Sequence, residues 1–267
     1  MKKYLTFINL ILALAGCSSN SQKVFNENNS RAYNLYHAGG LNGLKDSKIP
    51  SAQYKTITQG LTYATAYSIV GYNSSSMLGL SPLNAAGMNF LSILTSWSDD
   101  PSRSHIFGWL PADIAKSKDE AKTKYKNEIV KALTKTIKQF GGTIEYAQTF
   151  WGADTYLIHN EKWDCSKSKE CGITIKIPDP VLEKTPTFIS TNSSESFFFT
   201  GKNSSIMMTN KRSNVPQFEF FKKLSSNLPN WSILYLSHKE VKENKDVKIK
   251  IPVILERGQI ELFVTPK

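Results

Sequence analysis

Three cysteines and four histidines are the side chains of this 267-residue sequence best suited to nucleophilic, metal-binding or redox chemistry. The cysteines occupy positions 17, 165 and 171, and the histidines positions 37, 105, 159 and 238. A thiol next to a histidine can act as a nucleophile, a cluster of both residue types can hold zinc, and two thiols can join as a disulfide. The spacing of these residues, and the residues next to them, therefore distinguish between a nucleophile, a zinc site and a disulfide.

Cys17 follows a segment with the layout of a secretion signal. The chain starts with Lys2 and Lys3, continues with an apolar run from Tyr4 to Ala15, and ends that run with small residues. The run is about a dozen residues long, whereas a membrane-spanning helix needs roughly 20. We therefore expect a cleaved signal peptide and no stable transmembrane anchor.

The residues Leu14-Ala15-Gly16-Cys17 add a specific motif to this layout. The motif resembles the lipobox of bacterial lipoproteins, in which small residues precede a cysteine. The resemblance implies attachment of diacylglycerol to Cys17 through a thioether, cleavage before Cys17, and acylation of the new amino terminus. Ser18 stands where an aspartate retains enterobacterial lipoproteins at the inner membrane, so the resemblance favours the outer membrane, with the body facing the periplasm.

Cys165 and Cys171 then form an even pair in an exported chain, which favours a disulfide between them. A metal pair is the alternative, but it requires further cysteine or histidine ligands, and only His159 lies close in sequence. The sequence therefore predicts a disulfide, no metal site and no cofactor.

No catalytic signature accompanies these residues. The sequence lacks the serine-hydrolase, zinc-protease, phosphate-loop and dinucleotide motifs. Its histidines are far apart in sequence, and Asp99 and Asp100 precede a proline as a solvated turn does. An aromatic cluster either lines a ligand groove or belongs to the core, and it comprises Tyr146, Phe150, Trp151, Tyr156 and Trp163. We predict no catalytic residue.

The charge balance is basic but poor in arginine. Without residues 1–16 the chain keeps 31 basic and 22 acidic residues, a net charge of +9, and only four of the basic residues are arginines. Base recognition and bidentate phosphate binding favour arginine. The composition therefore disfavours nucleic-acid binding and is consistent with solubility or weak attraction to anionic envelope polymers and lipids.

Helical patterns are concentrated before residue 141. Ser30 is the predicted cap of a short helix that ends at Gly39-Gly40. Residues 56–98 contain no charge, and they predict a helical hairpin, with one helix over about 52–72 and the second from Ser81. Its small residues suit either burial or an oligomer or membrane surface. Ser117 and Glu120 predict a capping box for a lysine-rich helix that ends before Gly141-Gly142.

Strand patterns dominate the remainder. We expect a hairpin that turns near Gly152, a strand after Cys171, a second hairpin around residues 201–203, a short helix from Pro216, a strand over 231–237 and a terminal hairpin around Arg257-Gly258. The predicted class is α+β, with N-terminal helices followed by a mainly antiparallel sheet and one further short helix. The predicted divisions are a signal peptide (1–16), a lipidated cysteine and flexible tether (17–30), and a single domain (31–267). Within that domain we expect a helical part over about 51–140 and a strand part over about 142–267.

Together these features predict a lipid-anchored, non-catalytic bacterial envelope protein that binds or scaffolds another envelope protein or assembly, or forms a homo-oligomer. The alternatives are an envelope hydrolase, or a lipoprotein that binds a ligand or cell-wall glycan through a site without a known motif.

Overall fold

The computed structural model describes residues 22–51, 54, 103–165, 171–210, 215–237, 242–243, 247–248 and 252–267. The helical hairpin predicted within residues 52–98 lies outside the described residues, as do Cys17, Asp99, Asp100 and His238. The described chain is mainly β, and a single helix precedes its first strand. The predicted α+β class with several N-terminal helices is therefore wrong.

Three helices and fourteen short strands make up the regular structure of the described residues. The helices are α1 (Arg31–Ala38), α2 (Lys118–Gln139) and α3 (Gln217–Asn227). The strands are β1 (Ser47–Ile49), β2 (His105–Pro111), β3 (Thr143–Phe150), β4 (Ala153–His159), β5 (Cys171–Lys176), β6 (Val181–Lys184), β7 (Glu195–Phe199), β8 (Ser205–Asn210), β9 (Ser232–Leu236), β10 (Lys242–Glu243), β11 (Val247–Lys248), β12 (Val253–Glu256), β13 (Gln259–Leu262) and β14 (Val264–Pro266).

A six-stranded antiparallel sheet in the order β13-β12-β9-β2-β7-β6 is the centre of the molecule. Strand β2 lies in its middle, and His105 to Leu110 are all buried. The sheet is covered on both faces, so its central strands are apolar along their whole length instead of alternating. This explains why the segment "HIFGWLP" gave no alternating strand pattern and was assigned to the predicted helical part.

On one face of this sheet, α2, α3 and a second sheet form the larger apolar core. Helix α2 contributes buried residues at helical spacing, among them Tyr125, Ile129 and Leu133. The predicted cap is confirmed, because the Ser117 hydroxyl accepts a hydrogen bond from the Glu120 amide at 3.2 Å. The Glu120 carboxylate accepts from the Lys116 amide at 2.8 Å, so the reciprocal bond of a capping box goes to Lys116 instead of Ser117.

On the opposite face, α1 covers a smaller core built from alternate residues of the same strands. Ser30 caps α1 as predicted by accepting from the Tyr33 amide at 3.0 Å. Leu35 and Tyr36 of α1 are fully buried, and Tyr36 packs edge-on against Phe263. The six-stranded sheet is thus the middle of three layers.

The second sheet has four antiparallel strands in the order β3-β4-β5-β8. Its inner face contributes Ile158, Ile173 and Ile206 to the larger core. Cys165 and Cys171 form the predicted disulfide at the start of β5, with 5.4 Å between their Cα atoms, and both are buried. The bond closes the segment between β4 and β5.

Two pairings differ from the sequence-based expectation. Strands β7 and β8 were predicted to form a hairpin, but β7 lies in the six-stranded sheet and β8 in the four-stranded sheet, so the turn at Gly201–Asn203 carries the chain between layers. Strand β1 pairs in parallel with β14, and Ser47 faces Val264. A short strand paired with one more than 200 residues away leaves no local sequence signal.

Candidate functional site

The turn between β3 and β4 exposes two aromatic rings that the core does not use. Trp151 is 86% exposed and Phe150 is 63% exposed, and their rings stack with centroids 5.3 Å apart. We call Phe150 and Trp151 the aromatic tip. Most other large aromatic side chains among the described residues are buried, so the tip is an unusual apolar feature of the described surface.

The backbone of this turn is strained at Trp151. Trp151 has φ +50° and Gly152 has φ +72°, and Phe150 pairs with Ala153 across the two-residue turn. Turns with two positive φ values favour asparagine, aspartate and glycine, because other residues place Cβ too close to the backbone. A tryptophan here costs stability that an asparagine would not, and residues held in strained conformations are often functional.

The hairpin is fixed to α2 by a chain of polar contacts. The Tyr146 hydroxyl lies 2.7 Å from the Thr149 hydroxyl, which donates to Asp154 Oδ1, and Asp154 Oδ2 lies 2.7 Å from Lys126 Nζ on α2. Lys126 is half-exposed and Asp154 is mostly buried. These contacts position the aromatic tip on a supported hairpin.

The outer face of the four-stranded sheet continues this surface. By strand alternation Phe150, Thr155, Thr174 and Met207 share the side opposite the buried isoleucines. Met207 is 45% exposed, and the Thr155 and Thr174 hydroxyls lie 3.1 Å apart. Gln148 of β3 and Lys176 of β5 are also exposed on this side of the sheet. We call it the outer sheet face.

The aromatic cluster proposed from the sequence is divided by the structure. Tyr156 and Trp163 are buried in the larger core, whereas Tyr146, Phe150 and Trp151 are exposed. Burial, and secondarily the charge of Asp154, raises the pKa of Tyr156 to about 12, so its hydroxyl stays protonated near neutral pH. The cluster is thus partly core and partly surface, and it does not line a common groove.

The described histidines have separate surroundings. His105 is buried, and its Nδ1 lies 2.8 Å from the Ser204 carbonyl oxygen. His159 Nε2 lies 3.5 Å from Glu145 Oε2 on β3, and His37 packs on Tyr33 within α1. The two thiols that could have joined them are in the disulfide. Within the described ranges, no three histidine, cysteine, aspartate or glutamate side chains are grouped to hold a metal ion.

A second exposed apolar area lies where the described chain begins. Gln22 Nε2 donates to the Thr185 carbonyl at 2.7 Å, and Lys23 Nζ donates to the Ala38 carbonyl at 2.9 Å. Val24 is 70% exposed, and Val181 and Leu182 on the edge strand β6 are 55% and 44% exposed. Val181 and Leu182 point to opposite faces of the sheet, so they flank its edge. The sequence patterns did not reveal this area, because it depends on which strand lies at the sheet edge.

Comparison with known proteins identifies the N-terminal motif and nothing beyond it. Residues 1–18 match the family model described as prokaryotic membrane lipoprotein lipid attachment site. This confirms that the chain is a bacterial lipoprotein precursor, anchored to a membrane by lipid. No curated protein and no solved structure matches the chain. None of the helices in the described residues has the length and apolar character needed to cross a membrane.

Proposed function

We propose that this lipoprotein is a non-catalytic protein of the bacterial envelope that binds another envelope protein through the aromatic tip and the outer sheet face. We further propose that its lipid is held in the outer membrane with the body facing the periplasm, and Ser18 directly after Cys17 supports this part of the proposal. The observation that carries the proposal is Trp151, a tryptophan 86% exposed at a turn position with φ +50°. The strained backbone at Trp151 destabilises the fold, and this cost supports a functional role for the exposed ring.

The chemistry of the surface supports binding over catalysis. Exposed Trp, Phe and Met side chains are typical of the centres of protein interfaces, where they supply most of the binding energy. The charged groups beside the tip, Asp154 and Lys126, are paired with each other at 2.7 Å. The outer sheet face, with its threonines and one methionine, offers area for a partner but no nucleophile with an adjacent base.

A partner of this kind should dock through apolar contacts with the stacked rings at its centre. Removing a central aromatic side chain from such an interface costs about 2 kcal/mol or more, which weakens binding by about 30-fold. A second copy of the chain and a different envelope protein both satisfy this requirement. The experiment below distinguishes them by the mass of the cross-linked product.

The test places a photo-crosslinking residue at Gln148, which is exposed on β3 beside the tip. In cells making the acylated protein, we expect a discrete protein adduct that W151N and F150S abolish. Ile114→Ala is the matched control, because Ile114 is 41% exposed elsewhere on the surface, and it should leave the adduct unchanged.

Adducts that persist in W151N would contradict the proposal. Adducts formed with lipid alone would show that the tip contacts the bilayer. If W151N instead weakened co-sedimentation with purified cell-wall glycan and left protein adducts intact, the glycan-binding alternative would replace the proposed function.

A further inference from the structure

We infer that the edge of the six-stranded sheet formed by β6, together with Val24, lies against the surface of the bilayer that holds the protein's own acyl chains. We call Val24 and Val181 to Lys184 the β6 edge. The inference rests on the lipid attachment at Cys17 and is independent of the proposed partner at the aromatic tip.

The first argument is the short length of chain between the lipid and the body. Cys17 is five residues before Gln22, and an extended chain spans about 3.3 to 3.6 Å per residue. The Cα atom of Gln22 therefore lies at most about 18 Å from that of the lipidated cysteine, which is held at the membrane interface. The body of the protein cannot move far from the bilayer.

The second argument is that the chain is attached to the body from Gln22 onward. Besides the Gln22 and Lys23 bonds described above, the Thr187 amide donates to the Lys23 carbonyl at 3.2 Å. Lys23 Nζ also lies 3.2 Å from Glu183 Oε1 and 4.5 Å from the centre of the Phe198 ring. Phe25 packs edge-on against Phe188. These contacts fix the point at which the anchor joins the body.

That point of attachment is on the β6 edge itself. Glu183, which binds Lys23, is the third residue of β6, and Thr185 directly follows the strand. The Glu183 carboxylate also accepts a hydrogen bond from the Trp109 indole at 3.1 Å, so the anchor point is tied to the central strand. Of all the described surfaces, the surroundings of β6 are thus held nearest to the membrane.

The third argument is the apolar character of this edge. Val24, Val181 and Leu182 are exposed by 70%, 55% and 44%, although each side chain gains by leaving water. Strand β6 pairs only with β7 among the described strands, so its other side is an open edge. Proteins cover or shield such edges, and Pro178 and Pro180 precede this one. A lipid surface held within about 18 Å of the Gln22 Cα atom would cover it.

Burying exposed aliphatic side chains in the headgroup and acyl boundary adds to membrane affinity in proportion to the apolar area removed from water. The lipid anchor already supplies stable attachment. The added contact would therefore determine the orientation of the body, so that the opposite edge of the sheet, β13, points away from the membrane.

The experiment compares labels at the two edges of the same sheet. The acylated full-length protein is reconstituted into vesicles of phosphatidylethanolamine and phosphatidylglycerol, with a single cysteine introduced by K184C on β6 or Q259C on β13. Both residues are exposed, and five strand spacings of about 4.8 Å separate them by about 24 Å. An environment-sensitive fluorophore on each cysteine is quenched by headgroup-nitroxide lipid.

We expect a loss of fluorescence at K184C and none at Q259C. Adding V181D and L182D to K184C should reverse the loss, while the urea midpoint in detergent stays unchanged, because both side chains are exposed. Inserting about ten glycine and serine residues before Gln22 lengthens the reach by about 35 Å. The contact should survive this insertion if the β6 edge has its own affinity for the bilayer.

Equal quenching at both positions would show that the body tumbles on its anchor, and absence of quenching at K184C would show that β6 does not touch the bilayer. Either result overturns the inference, as does a loss of contact in the insertion variant. A disulfide between the K184C residues of two copies, without lipid quenching, would overturn the inference and assign the edge to strand addition between copies. Because the vesicles contain no other protein, these outcomes do not depend on the test at Gln148.

Discussion

At the scale of single residues, the buried ion pair between Arg31 and Glu256 ties α1 to the central sheet. Glu256 is 3% exposed, and it accepts hydrogen bonds from Arg31 Nε at 2.5 Å and from Nη2 at 2.7 Å. The hydrogen bond to Glu256 raises the pKa of Arg31. Burial, and then the charge of Glu256, raises the pKa of Glu261. This corner of the molecule therefore depends on its single bidentate guanidinium.

We predict that R31M lowers the free energy of unfolding by about 2 kcal/mol, because it leaves a buried carboxylate without its main partner. Arg257, whose Nη2 lies 3.5 Å from Glu256, limits the loss. The double variant R31M/E256Q should be more stable than R31M in urea unfolding. Equal free energies of unfolding for R31M and R31M/E256Q would show that an unpaired Glu256 does not destabilise the fold.

His37 predicts a pH dependence with a definite sign. Burial lowers its pKa, against opposing effects of Asp46 and a hydrogen bond at Leu44, and its buried Nε2 has no hydrogen-bond partner within the described structure. Below its ordinary pKa of about 6.5 the unfolded chain binds the proton more tightly than the folded chain. Stability contributed by His37 is therefore present above about pH 6.5 and is lost as the pH falls towards its lowered pKa.

The check is to measure the free energy of unfolding at about pH 7.5 and about pH 5.5 in urea. The decrease towards low pH should be smaller in H37Q than in the unmodified protein. Burial raises the pKa values of Asp46 and Glu261, so these two carboxyl groups favour folding as the pH falls, opposite in sign to His37, and both are present in the two proteins. An identical decrease in both would assign the effect to other groups.

Residue-scale features could be predicted from the sequence only where chemistry is local. Cys17 lies in a short motif, and Cys165 and Cys171 were paired because an exported chain favours it. Trp151 was noted among five aromatic residues, but exposure separates it from Tyr156, and exposure depends on the whole fold. The β6 edge was missed because Val181 and Leu182 look like any short apolar segment.

At the scale of elements, Gly108 shows how closely α2 packs on the central strand β2. A Cβ at Gly108 would lie 2.7 Å from the Trp231 carbonyl oxygen and 3.2 Å from Tyr125. The backbone of Trp231 and the buried Tyr125 ring have little room to move. The close approach of the Trp231 backbone, and of the Tyr125 ring on α2, thus requires a residue without a side chain at position 108.

G108A should lower the free energy of unfolding by about 2 kcal/mol through overpacking. G172A is the matched control on β5, where the nearest atom to an added Cβ is 3.4 Å away. It should lower the free energy of unfolding by clearly less than G108A does. Urea unfolding measures the free energy of unfolding of G108A and of G172A. A G108A variant as stable as G172A would mean that the Trp231 backbone and the Tyr125 ring can both move to admit a methyl group.

The elements themselves were predictable where their signals are local. The caps and glycines around α1 and α2, and the turns at Gly152 and Gly258, are confirmed because each depends on residues within a few positions. Strand β2 was missed because it is buried on both faces, so its apolar run has neither a helical nor an alternating period. The β7–β8 hairpin was wrong because two adjacent strands can enter different sheets.

At the scale of the whole molecule, one sheet is shared by two cores. Phe107 and Trp109 of β2 face the core under α1, whereas Ile106 and Leu110 face the core under α2. Loss of either core removes support from the same strand. We therefore expect the described body to unfold as one cooperative unit.

L35A in α1 and L133A in α2 test this expectation, since both leucines are fully buried on opposite sides of the sheet. Each should lower the free energy of unfolding by about 3 kcal/mol, and the two effects should add because the leucines lie in different cores on opposite faces of the sheet. Tryptophan fluorescence and circular dichroism should give coincident urea transitions in all variants. A transition that splits in L35A would show that the α1 layer unfolds separately.

The pairing of β1 with β14 also has a consequence for biogenesis. Ser51 and Lys267, which are joined by a hydrogen bond next to this pairing, are 216 positions apart, and β2 has to wait for β7 and β9 before it gains either neighbour. A ribosome delivers the chain from its amino end, so β1 cannot pair until β14 has been translated. Nascent intermediates of this lipoprotein should stay loose and accessible to chaperones throughout synthesis, at the same time as its amino end is being delivered to the membrane.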